Sequence, residues 1–557
     1  MSIFSEVTAS EDFERIKNLP KRKVDPTKYV EPVTRALLKT DAPDPNFPSV
    51  LLPIQAWALY EISRCAGLLG PIGVGHGKTG LDLLAPLVLP GVRIACLLVP
   101  ASLKLQIYRN YEEWDKNFRL PNLAGTGKFD STLPTIYLVT YDQLSREKSA
   151  SFLDTLQPDL IIADEAHHLK RKTSTRTRRL LRYFAEHPKT RFCAWSGTLT
   201  NNSIKDYAHL SALALRKGSP VPIHWSYVEE WSEALDANAT KDYGVLESRE
   251  AFHDRLTSTM GVVSTRGESV GASLYFLDRH IEVPVAITEA LKLLRETWTR
   301  PDGEELVEAS QVWRCGREIA SGFYYKWEFP RGETKAQIDE WKRIRAEWHK
   351  ELREKLKQNR PLLDSPLLCA RAARRHIEGY VGELPTWKSD WFAQWMEIKG
   401  TVRPVTVPVW LSDFLIQDLK KVEKGIIWYE HDTFGRALSA AGIPCFGSGD
   451  GRILDEDGTR TIGASLLAHG TGKNLQAFSN NVFGNYPSNL SAWEQVIGRT
   501  WRQGQKADEV IVQVYRHTEE MKQAFAKARG RAKYVNQTMG VSQALLVGSY
   551  TFKPDEE

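Results

Sequence analysis

The sequence predicts an α/β fold made of two parallel-sheet domains with a helix-rich insertion between them. Short apolar runs recur in the first part of the chain, at 94–99, 135–139, 160–163 and 191–195. A second set follows residue 400, at 424–429, 461–467, 481–483 and 510–515. Runs that are apolar throughout are typical of parallel strands covered on both faces, and the stretches between them are long enough for helices. Two such sets therefore predict two sheet domains.

The domain boundaries follow from the same patterns. Between the two sets of apolar runs the chain is rich in charged residues, and 341–360 alone contain eight Lys or Arg and three Glu. This stretch either follows a nucleic-acid backbone or presents an ordinary solvated helical face. We expect five segments: an N-terminal arm over 1–45, a first sheet domain over 46–285, a helical insertion and linker over 286–400, a second sheet domain over 401–545 and a C-terminal tail over 546–557.

The composition is that of a soluble globular protein, with 42% hydrophobic and 26% charged residues among 557. The net charge of +5 permits a nucleic-acid partner without requiring one. Six cysteines without a CxxC pair argue against a zinc site or a disulfide framework and fit a reducing compartment. We find neither a secretory signal nor an apolar run of about 20 residues. We therefore expect a cytoplasmic protein with no membrane partner; the basic cluster at 21–23 is too short to argue nuclear import, and a nuclear location stays open.

A glycine-rich loop, GVGHGKTG at 73–80, has the composition of a phosphate-binding site for ATP. Gly75 and Gly77 leave room for backbone N–H groups to approach phosphates. Lys78 is expected to reach the β- and γ-phosphates, and Thr79 is expected to ligate Mg²⁺. Because Ile72 stands where the strict pattern has glycine, the alternative is a glycine-rich turn with a chance Lys-Thr pair.

Two carboxylates follow the apolar run at 160–163 and strengthen this assignment. A carboxylate at the end of a strand beside a phosphate-binding loop is expected to hold Mg²⁺, and Asp164 has that place. Glu165 would then orient and polarise the water that attacks the γ-phosphate. The alternative is a capped strand end with solvated acids, but the upstream GxGKT loop favours the ATPase interpretation.

The tetrapeptide Asp164-Glu-Ala-His167 resembles motif II of superfamily 2 helicases in its DEAH form, and further motifs follow in family order. They resemble the Q motif at 53–55, motif Ia at 98–103, motif Ib at 139–142, motif III at 196–202, motif V at 466–475 and motif VI at 495–502. Each piece alone also fits a loop or a helix cap, so the evidence lies in their order. The resemblance implies two RecA-like domains that bind ATP and Mg²⁺.

The resemblance also implies roles for further residues. Gln55 would contact adenine, and Gly472 and Gln495 would contribute to the nucleotide site from the second domain. Coupling between this site and the nucleic acid would involve His167, Ser196 and Thr198. Contacts to nucleic-acid phosphates, which do not depend on base sequence, would come from Ser102, Thr140, Tyr141 and Thr471.

Two arginines of motif VI complete the predicted ATP site. Arginine suits contact with γ-phosphate oxygens because its planar fork stays charged. Arg499 and Arg502 are three residues apart, so a helix would place both on one face. We expect them to act as arginine fingers from the second domain; the alternative is a basic amphipathic helix in surface salt bridges. ATP between Lys78 and Arg499 would draw the domains together, and hydrolysis would release them.

Several of the motifs resemble the Snf2-like branch of the superfamily. The run GRTWRQGQ at 498–505, the HLK that follows motif II and the stretch 313–322 are similar to that branch. The sequence departs from it where one Arg is missing at Thr265-Arg266, where Lys473 replaces an apolar residue, and where the P-loop lacks an acidic lead-in. These departures suggest a compact, divergent member from a virus or a bacterium, located in a bacterial or phage-infected cytoplasm.

The Snf2-like resemblance implies a monomeric, ATP-dependent translocase on duplex DNA, with single-stranded DNA as a further candidate partner and a protein partner for targeting. The alternatives are a strand-separating helicase, a motor subunit that acts with a nuclease partner, and a non-catalytic clamp on nucleic acid. The intact ATP-site residues argue against the clamp; they are Lys78, Asp164, Glu165, Arg499 and Arg502.

Overall fold

The structure is a computed structural model. It describes residues 10–127, 129–146, 149–200, 202–236, 245–265, 270–306, 309–358, 360, 362–363, 365–470 and 472–554. Two residues named in the sequence analysis, Arg266 and Thr471, lie outside the described residues. Among the described residues, no helix is both long enough and apolar enough to cross a membrane.

The strands of the described residues are β1 (Leu68–Gly70), β2 (Ile94–Val99), β3 (Asn122–Leu123), β4 (Thr135–Thr140), β5 (Leu160–Asp164), β6 (Arg191–Trp195), β7 (Ser273–Asp278), β8 (Phe323–Glu328), β9 (Val405–Trp410), β10 (Gly425–Tyr429), β11 (Cys445–Phe446), β12 (Thr461–Ser465), β13 (Asn480–Phe483), β14 (Glu509–Val514) and β15 (Ser549–Tyr550).

The α-helices are α1 (Glu11–Lys17), α2 (Val30–Leu37), α3 (Pro53–Cys65), α4 (Lys78–Leu84), α5 (Lys104–Trp114), α6 (Tyr141–Ser145), α7 (Phe152–Leu156), α8 (Thr175–Glu186), α9 (Ala208–Leu215), α10 (Trp225–Leu235), α11 (Val245–Ser258), α12 (Val285–Thr297), α13 (Ala309–Ala320), α14 (Lys335–Lys357), α15 (Pro366–Ile377), α16 (Asp390–Ile398), α17 (Phe414–Leu419), α18 (Asp432–Ala440), α19 (Leu466–His469), α20 (Leu490–Thr500), α21 (Glu519–Met539) and α22 (Ala544–Val547). Short 3₁₀ turns include Ala101–Leu103 and Ala166–Leu169.

The first sheet has six parallel strands in the order β1-β6-β5-β2-β4-β3. In register, Ile94 of β2 lies beside Thr135 of β4. Alternate residues of β2 enter different cores: Leu97 packs on one face of the sheet and Leu98 on the other. Burial on both faces explains why the predicted runs are apolar throughout rather than alternating.

The second sheet has seven parallel strands in the order β11-β12-β10-β13-β14-β7-β15. The two sheets confirm the predicted α/β class. Strand β7, which lies in the range expected for the first domain, belongs to the second sheet because it pairs with β14 from Ser273–Glu509 to Asp278–Val514. Strand β15, from the expected tail, adds to the same edge at Tyr275.

The insertion forms a small helical unit on a two-stranded stalk. Helices α14, α15 and α16 pack around a core of Trp348, Cys369, Trp387 and Phe392. The antiparallel pair β8–β9 is the stalk, and it joins this unit to the second lobe, which is built on the seven-stranded sheet. The first lobe is built on the six-stranded sheet. Residues 335–399 of the expected insertion therefore form an attached unit with its own core, whereas α12 and α13 pack on a separate core and against α21.

The N-terminal arm and helix α21 both contact the first lobe. In the N-terminal arm, Arg22 forms an ion pair with buried Glu61 at 3.0 Å. Near the other end, helix α21 lies against α11 of the first lobe, where Arg249 donates to the Gln537 side chain at 3.0 Å and faces the ring of Tyr534. Helix α21 thus connects the second lobe to the first.

Candidate active site

The glycine-rich loop runs from the end of β1 to Lys78, the first residue of α4. Gly75 and Gly77 have φ angles of +84° and +70°, a region that glycine enters without steric penalty. The Lys78 ammonium lies 3.4 Å from the carbonyl oxygen of Ile72 and 3.3 Å from that of Gly73. The loop therefore curls around the amine that is expected to meet the phosphates, and Thr79 follows it directly in α4.

Gln55 is buried beneath this loop. Its side-chain amide donates to the Gly77 carbonyl at 2.7 Å, and its side-chain oxygen accepts from the backbone N–H of Leu52 at 2.8 Å. A β-carbon on Gly80 would lie 2.7 Å from the same amide nitrogen. Gln55 thus supports the phosphate loop from below, and its expected contact with adenine stays a prediction.

The two acids of motif II lie at the end of β5. Asp164 is buried, and its carbonyl accepts a hydrogen bond from the Tyr141 hydroxyl at 2.7 Å. Glu165 has a φ of +53°, which is uncommon for a residue other than glycine. Its backbone N–H donates to Asp164 Oδ1 at 2.9 Å, so the turn that points Glu165 into the cleft is fixed by the neighbouring carboxylate.

Glu165 is the centre of a charged network. Its carboxylate lies 3.5 Å from the Lys78 ammonium and 3.3 Å from His167 Nδ1, and it accepts from the Ser196 hydroxyl at 2.8 Å. Burial opposes the charge of Glu165, but Lys78, His167 and Ser196 together hold its pKa well below the usual range. Burial, and then the negative charge of Glu165, raises the pKa of Asp164 to about 7. Glu165 is therefore the ionised acid of the pair.

Motif III lies against motif II through Ser196. The backbone N–H of Thr198 donates to the Ser196 hydroxyl oxygen at 3.2 Å, and His167 Nδ1 lies 3.0 Å from the same oxygen. A β-carbon on Gly197 would approach Gly73 to 3.3 Å. The three residues expected to couple the ATP site to the nucleic acid thus form one connected group.

Asp82 of α4 is an acidic residue of this site that the sequence analysis missed. It is fully buried, and its Oδ1 accepts from the Trp195 indole at 3.1 Å. Burial, and then the charge of Asp164, raises its pKa well above the usual range. Its other oxygen has no hydrogen-bond partner among the described residues. Asp82 lies one helical turn after Lys78 within an otherwise apolar run, and this position could have indicated its place in the site.

The donors around Lys78 fit a bound Mg²⁺. Hard cations such as Mg²⁺ prefer oxygen ligands, and Asp82, Asp164 and Glu165 place three carboxyl groups in one buried cluster. Asp82 has an unpartnered oxygen and Asp164 a raised pKa, so burial opposes the ionised form of both carboxyl groups, and a bound divalent cation would stabilise that form. Thr79 and Asp164 are the candidate ligands.

The second lobe closes the site from the opposite side. A cavity between the lobes is lined by Gly73, Glu165 and Thr198 of the first lobe and by Gln495 and Gly498 of α20, among others. At its floor, Gln495 Nε2 lies 3.5 Å from His167 Nε2. Gly472, at a φ of +74°, packs against Leu103 at the far end of the cleft.

Arg499 and Arg502 are both mostly buried but differ in setting. Arg499 donates to the carbonyls of Gln495 at 2.9 Å and Lys473 at 3.3 Å. Burial, and then repulsion from Arg502, lowers the pKa of Arg499 to about 10; burial also lowers the pKa of Arg502. The hydrogen bonds to Gln495 and Lys473 thus fix the guanidinium of Arg499 within the second lobe.

The two arginines do not share one helix face as expected. Helix α20 ends at Thr500, and Trp501 leaves the helical conformation with φ of −90° and ψ of 89°. The cause is the indole of Trp501, which donates to the Ala272 carbonyl at 2.7 Å. Arg502 therefore lies in the turn beyond the helix.

The expected nucleic-acid contacts differ in exposure. Ser102 is exposed in the turn Ala101–Leu103. Thr140 and Tyr141 are buried. The Thr140 hydroxyl caps α6 by accepting from the Gln143 N–H at 3.1 Å, and the Tyr141 hydroxyl donates to the Asp164 carbonyl. The side chains of these two residues are engaged within motifs Ib and II, and their contact with nucleic-acid phosphates stays a prediction.

Part of the first lobe is similar to a known protein family. Residues 71–195 match the family described as the type III restriction enzyme, res subunit. This match, which runs from the phosphate loop to the end of β6, identifies a helicase-like ATPase domain of superfamily 2. No curated protein sequence matches the chain. Motifs V and VI, with Arg499, lie outside the matched residues.

Proposed function

We propose that the protein is a Snf2-like translocase that couples ATP hydrolysis to movement along duplex DNA. The helicase-like ATPase domain at 71–195 supports an ATP-dependent nucleic-acid motor. The observation that favours coupled movement is the contact of His167 with Gln495 across the cleft, at 3.5 Å. His167 touches Glu165 with its other ring nitrogen, so one side chain joins the proposed hydrolytic centre to the second lobe.

In this proposal the first lobe holds the triphosphate and the attacking water. Lys78 binds the β- and γ-phosphates, and ionised Glu165 accepts a hydrogen bond from the water and orients it. Thr79 and Asp164 would hold Mg²⁺, which would neutralise charge on the phosphate oxygens. Glu165 suits its task because the neighbouring ammonium of Lys78 keeps the carboxylate charged.

The second lobe supplies positive charge to the same phosphates. Arg499 and Arg502 would contact γ-phosphate oxygens and stabilise the charge that develops during phosphoryl transfer. Arg499 is held by two carbonyls of its own lobe, so it moves with that lobe. Release of the γ-phosphate removes its partner, and the lobes can then separate.

The test is the steady-state ATPase rate at fixed salt without nucleic acid and with single-stranded DNA, duplex DNA or duplex RNA. We expect strong stimulation by duplex DNA and none in Lys78→Ala. Preference for single-stranded DNA would replace the translocase with a strand-separating helicase. Preference for duplex RNA would contradict a DNA motor.

A motor subunit that acts with a nuclease partner is the second candidate. The match to the res subunit of type III restriction enzymes favours it. In that case Lys78-dependent hydrolysis would persist, but no nucleic acid would stimulate the purified chain alone. Stimulation by duplex DNA in the absence of any other protein would contradict a strict dependence on the partner.

A further inference from the structure

The helical unit of residues 335–399 lies apart from the ATP site. Its three helices pack on their own core, and none of the described residues of 335–399 lines the cavity between the lobes. The stalk of β8 and β9 holds this unit on the second lobe, with Phe323 beside Trp410 at its base. A separate unit on a moving lobe is suited to contact something outside the cleft.

The helical unit of residues 335–399 has a moderate excess of positive charge. Residues 335–399 contain fourteen Lys or Arg and ten Asp or Glu, an excess of four in a chain whose net charge is +5. An accumulation of positive charge in one small unit produces a local field that attracts polyanions.

On α14 basic residues recur on the solvent-facing side, beside a row of acidic residues at Glu340, Glu347 and Glu354. Trp341, Ile344 and Trp348 form the buried face. Arg343, Lys350 and Lys357 recur every seven residues on another face, and all three are exposed. We call the cationic face the set Lys342, Arg343, Lys350, Arg353 and Lys357.

Much of the cationic face is not neutralised within the protein. Lys342 pairs with Glu304 at 3.3 Å and Lys357 with Glu354 at 2.6 Å. Within the described part of the chain, Arg343, Lys350 and Arg353 have no carboxylate within ion-pair distance. Burial, with the charges of Arg345 and Arg353, lowers the pKa of nearby His349, which agrees with a positive local potential.

We propose that the cationic face binds the phosphate backbone of the nucleic acid on which the motor acts, at a site separate from the cleft. This inference rests on the proposed nucleic-acid motor. The seven-residue spacing corresponds to about 10 Å along the helix, or about three base-pair steps of a duplex. Backbone contacts need no base sequence, as a moving motor requires. A nucleic acid is favoured over an acidic protein because the first lobe is a helicase-like ATPase domain.

The test uses the full chain and a fluorescent 40-base-pair DNA duplex, with binding measured by anisotropy over a range of salt concentrations. The variant Lys350→Gln/Arg353→Gln/Lys357→Gln removes three charges while keeping helix-forming residues. Its control, Lys189→Gln/Lys217→Gln/Lys424→Gln, removes three charges from exposed positions elsewhere. Unfolding midpoints of both variants check that the fold is intact.

We expect the slope of log affinity against log salt concentration to fall by about 3 in the cationic-face variant, because each lost phosphate contact accounts for about 0.9. The control is expected to keep the wild-type slope. Equal slopes in both variants, with duplex binding retained, would overturn the inference and leave the motor proposal standing. A wild-type chain that binds no duplex and is not stimulated by any nucleic acid would overturn both.

Discussion

Gly498 of α20 lies directly over Val74 of the phosphate loop, so that a β-carbon on Gly498 would approach Val74 Cγ1 to 2.7 Å. A comparable approach occurs where Gly472 packs on Leu103, at 2.7 Å from a β-carbon position to Cδ2. Both contacts join one lobe to the other. The closed cleft depends most on Gly498, because a β-carbon there would meet Val74 close to its backbone, whereas the end of the Leu103 side chain can move away from Gly472.

Gly498→Ala is expected to lower kcat about tenfold or more. Accommodating the added methyl group against Val74 costs about 1 to 3 kcal/mol. If the reaction needs the closed cleft, this cost adds to the activation free energy, and each 1.4 kcal/mol lowers the rate about tenfold. ATP affinity should change less, because Lys78 and the loop remain intact in the first lobe. Gly530→Ala in α21 is the control, since a β-carbon there meets open space. Turnover of Gly498→Ala at the wild-type rate would show that hydrolysis does not need this closure.

The contact between His167 and Gln495 predicts energetic coupling across the cleft. We expect His167→Ala and Gln495→Ala each to reduce the stimulation of ATPase activity by DNA. Their effects should be non-additive in the double variant, by about 0.5 to 3 kcal/mol, as for residues in direct contact. The measurement is a double-mutant cycle on the ratio of stimulated to basal rates. Full additivity would place the coupling elsewhere.

Glu165→Gln is expected to bind ATP but to hydrolyse it at least about a hundredfold more slowly, because the amide cannot orient and polarise water as the carboxylate does. Lys78→Ala should instead lose both binding and hydrolysis, since it removes the cation that meets the phosphates. Nucleotide binding and single-turnover hydrolysis, measured separately, distinguish the two. Normal turnover in Glu165→Gln would exclude its proposed role.

The fold and the ATP-site motifs could be predicted from the sequence because both depend on local patterns. Strands buried on both faces are apolar throughout, and Asp164 of the DEAH motif ends such a strand. Strand β1, which precedes the phosphate loop, has only three residues and was not among the predicted runs. The role of Gln55 under the loop could not be predicted, because it depends on the path of the backbone around Gly77 and Gly80. The place of β7 depends on pairing with a strand more than two hundred residues away, which no local pattern specifies.

Arg502→Ala is expected to lower the rate more than the ATP affinity, because its contact with the γ-phosphate would form mainly in the closed state. Arg502→Lys should restore little, because an ammonium lacks the planar fork of guanidinium. Arg499→Ala should be more damaging to stability, since its hydrogen bonds to Gln495 and Lys473 join α20 to motif V. Steady-state kinetics with unfolding midpoints separate these effects. Equal losses of rate and affinity in Arg502→Ala would make it a simple binding residue.

The buried carboxyl group of Glu494, which contacts residues near the C-terminal end of the chain, should make the free energy of unfolding depend on pH. This α20 residue accepts hydrogen bonds from the backbone N–H groups of Ala544 at 2.8 Å and Leu545 at 3.2 Å. Burial raises its pKa from 4.5 to about 7, although these two bonds oppose the shift. The folded state therefore holds the proton more tightly than the unfolded state. The contribution of Glu494 to stability is fully present below pH 4.5 and is lost as the pH rises to about 7.

Over that interval the loss amounts to about 3 kcal/mol, at about 1.4 kcal/mol per pH unit. Glu494→Gln does not titrate, so its stability should change less between pH 5 and 8 than that of the wild type. The measurement is the unfolding midpoint against pH, with Glu423→Gln at an exposed position as the control. Parallel profiles for wild type and Glu494→Gln would mean that the carboxyl group is already ionised near pH 5. In that case the hydrogen bonds from Ala544 and Leu545 would outweigh the effect of burial.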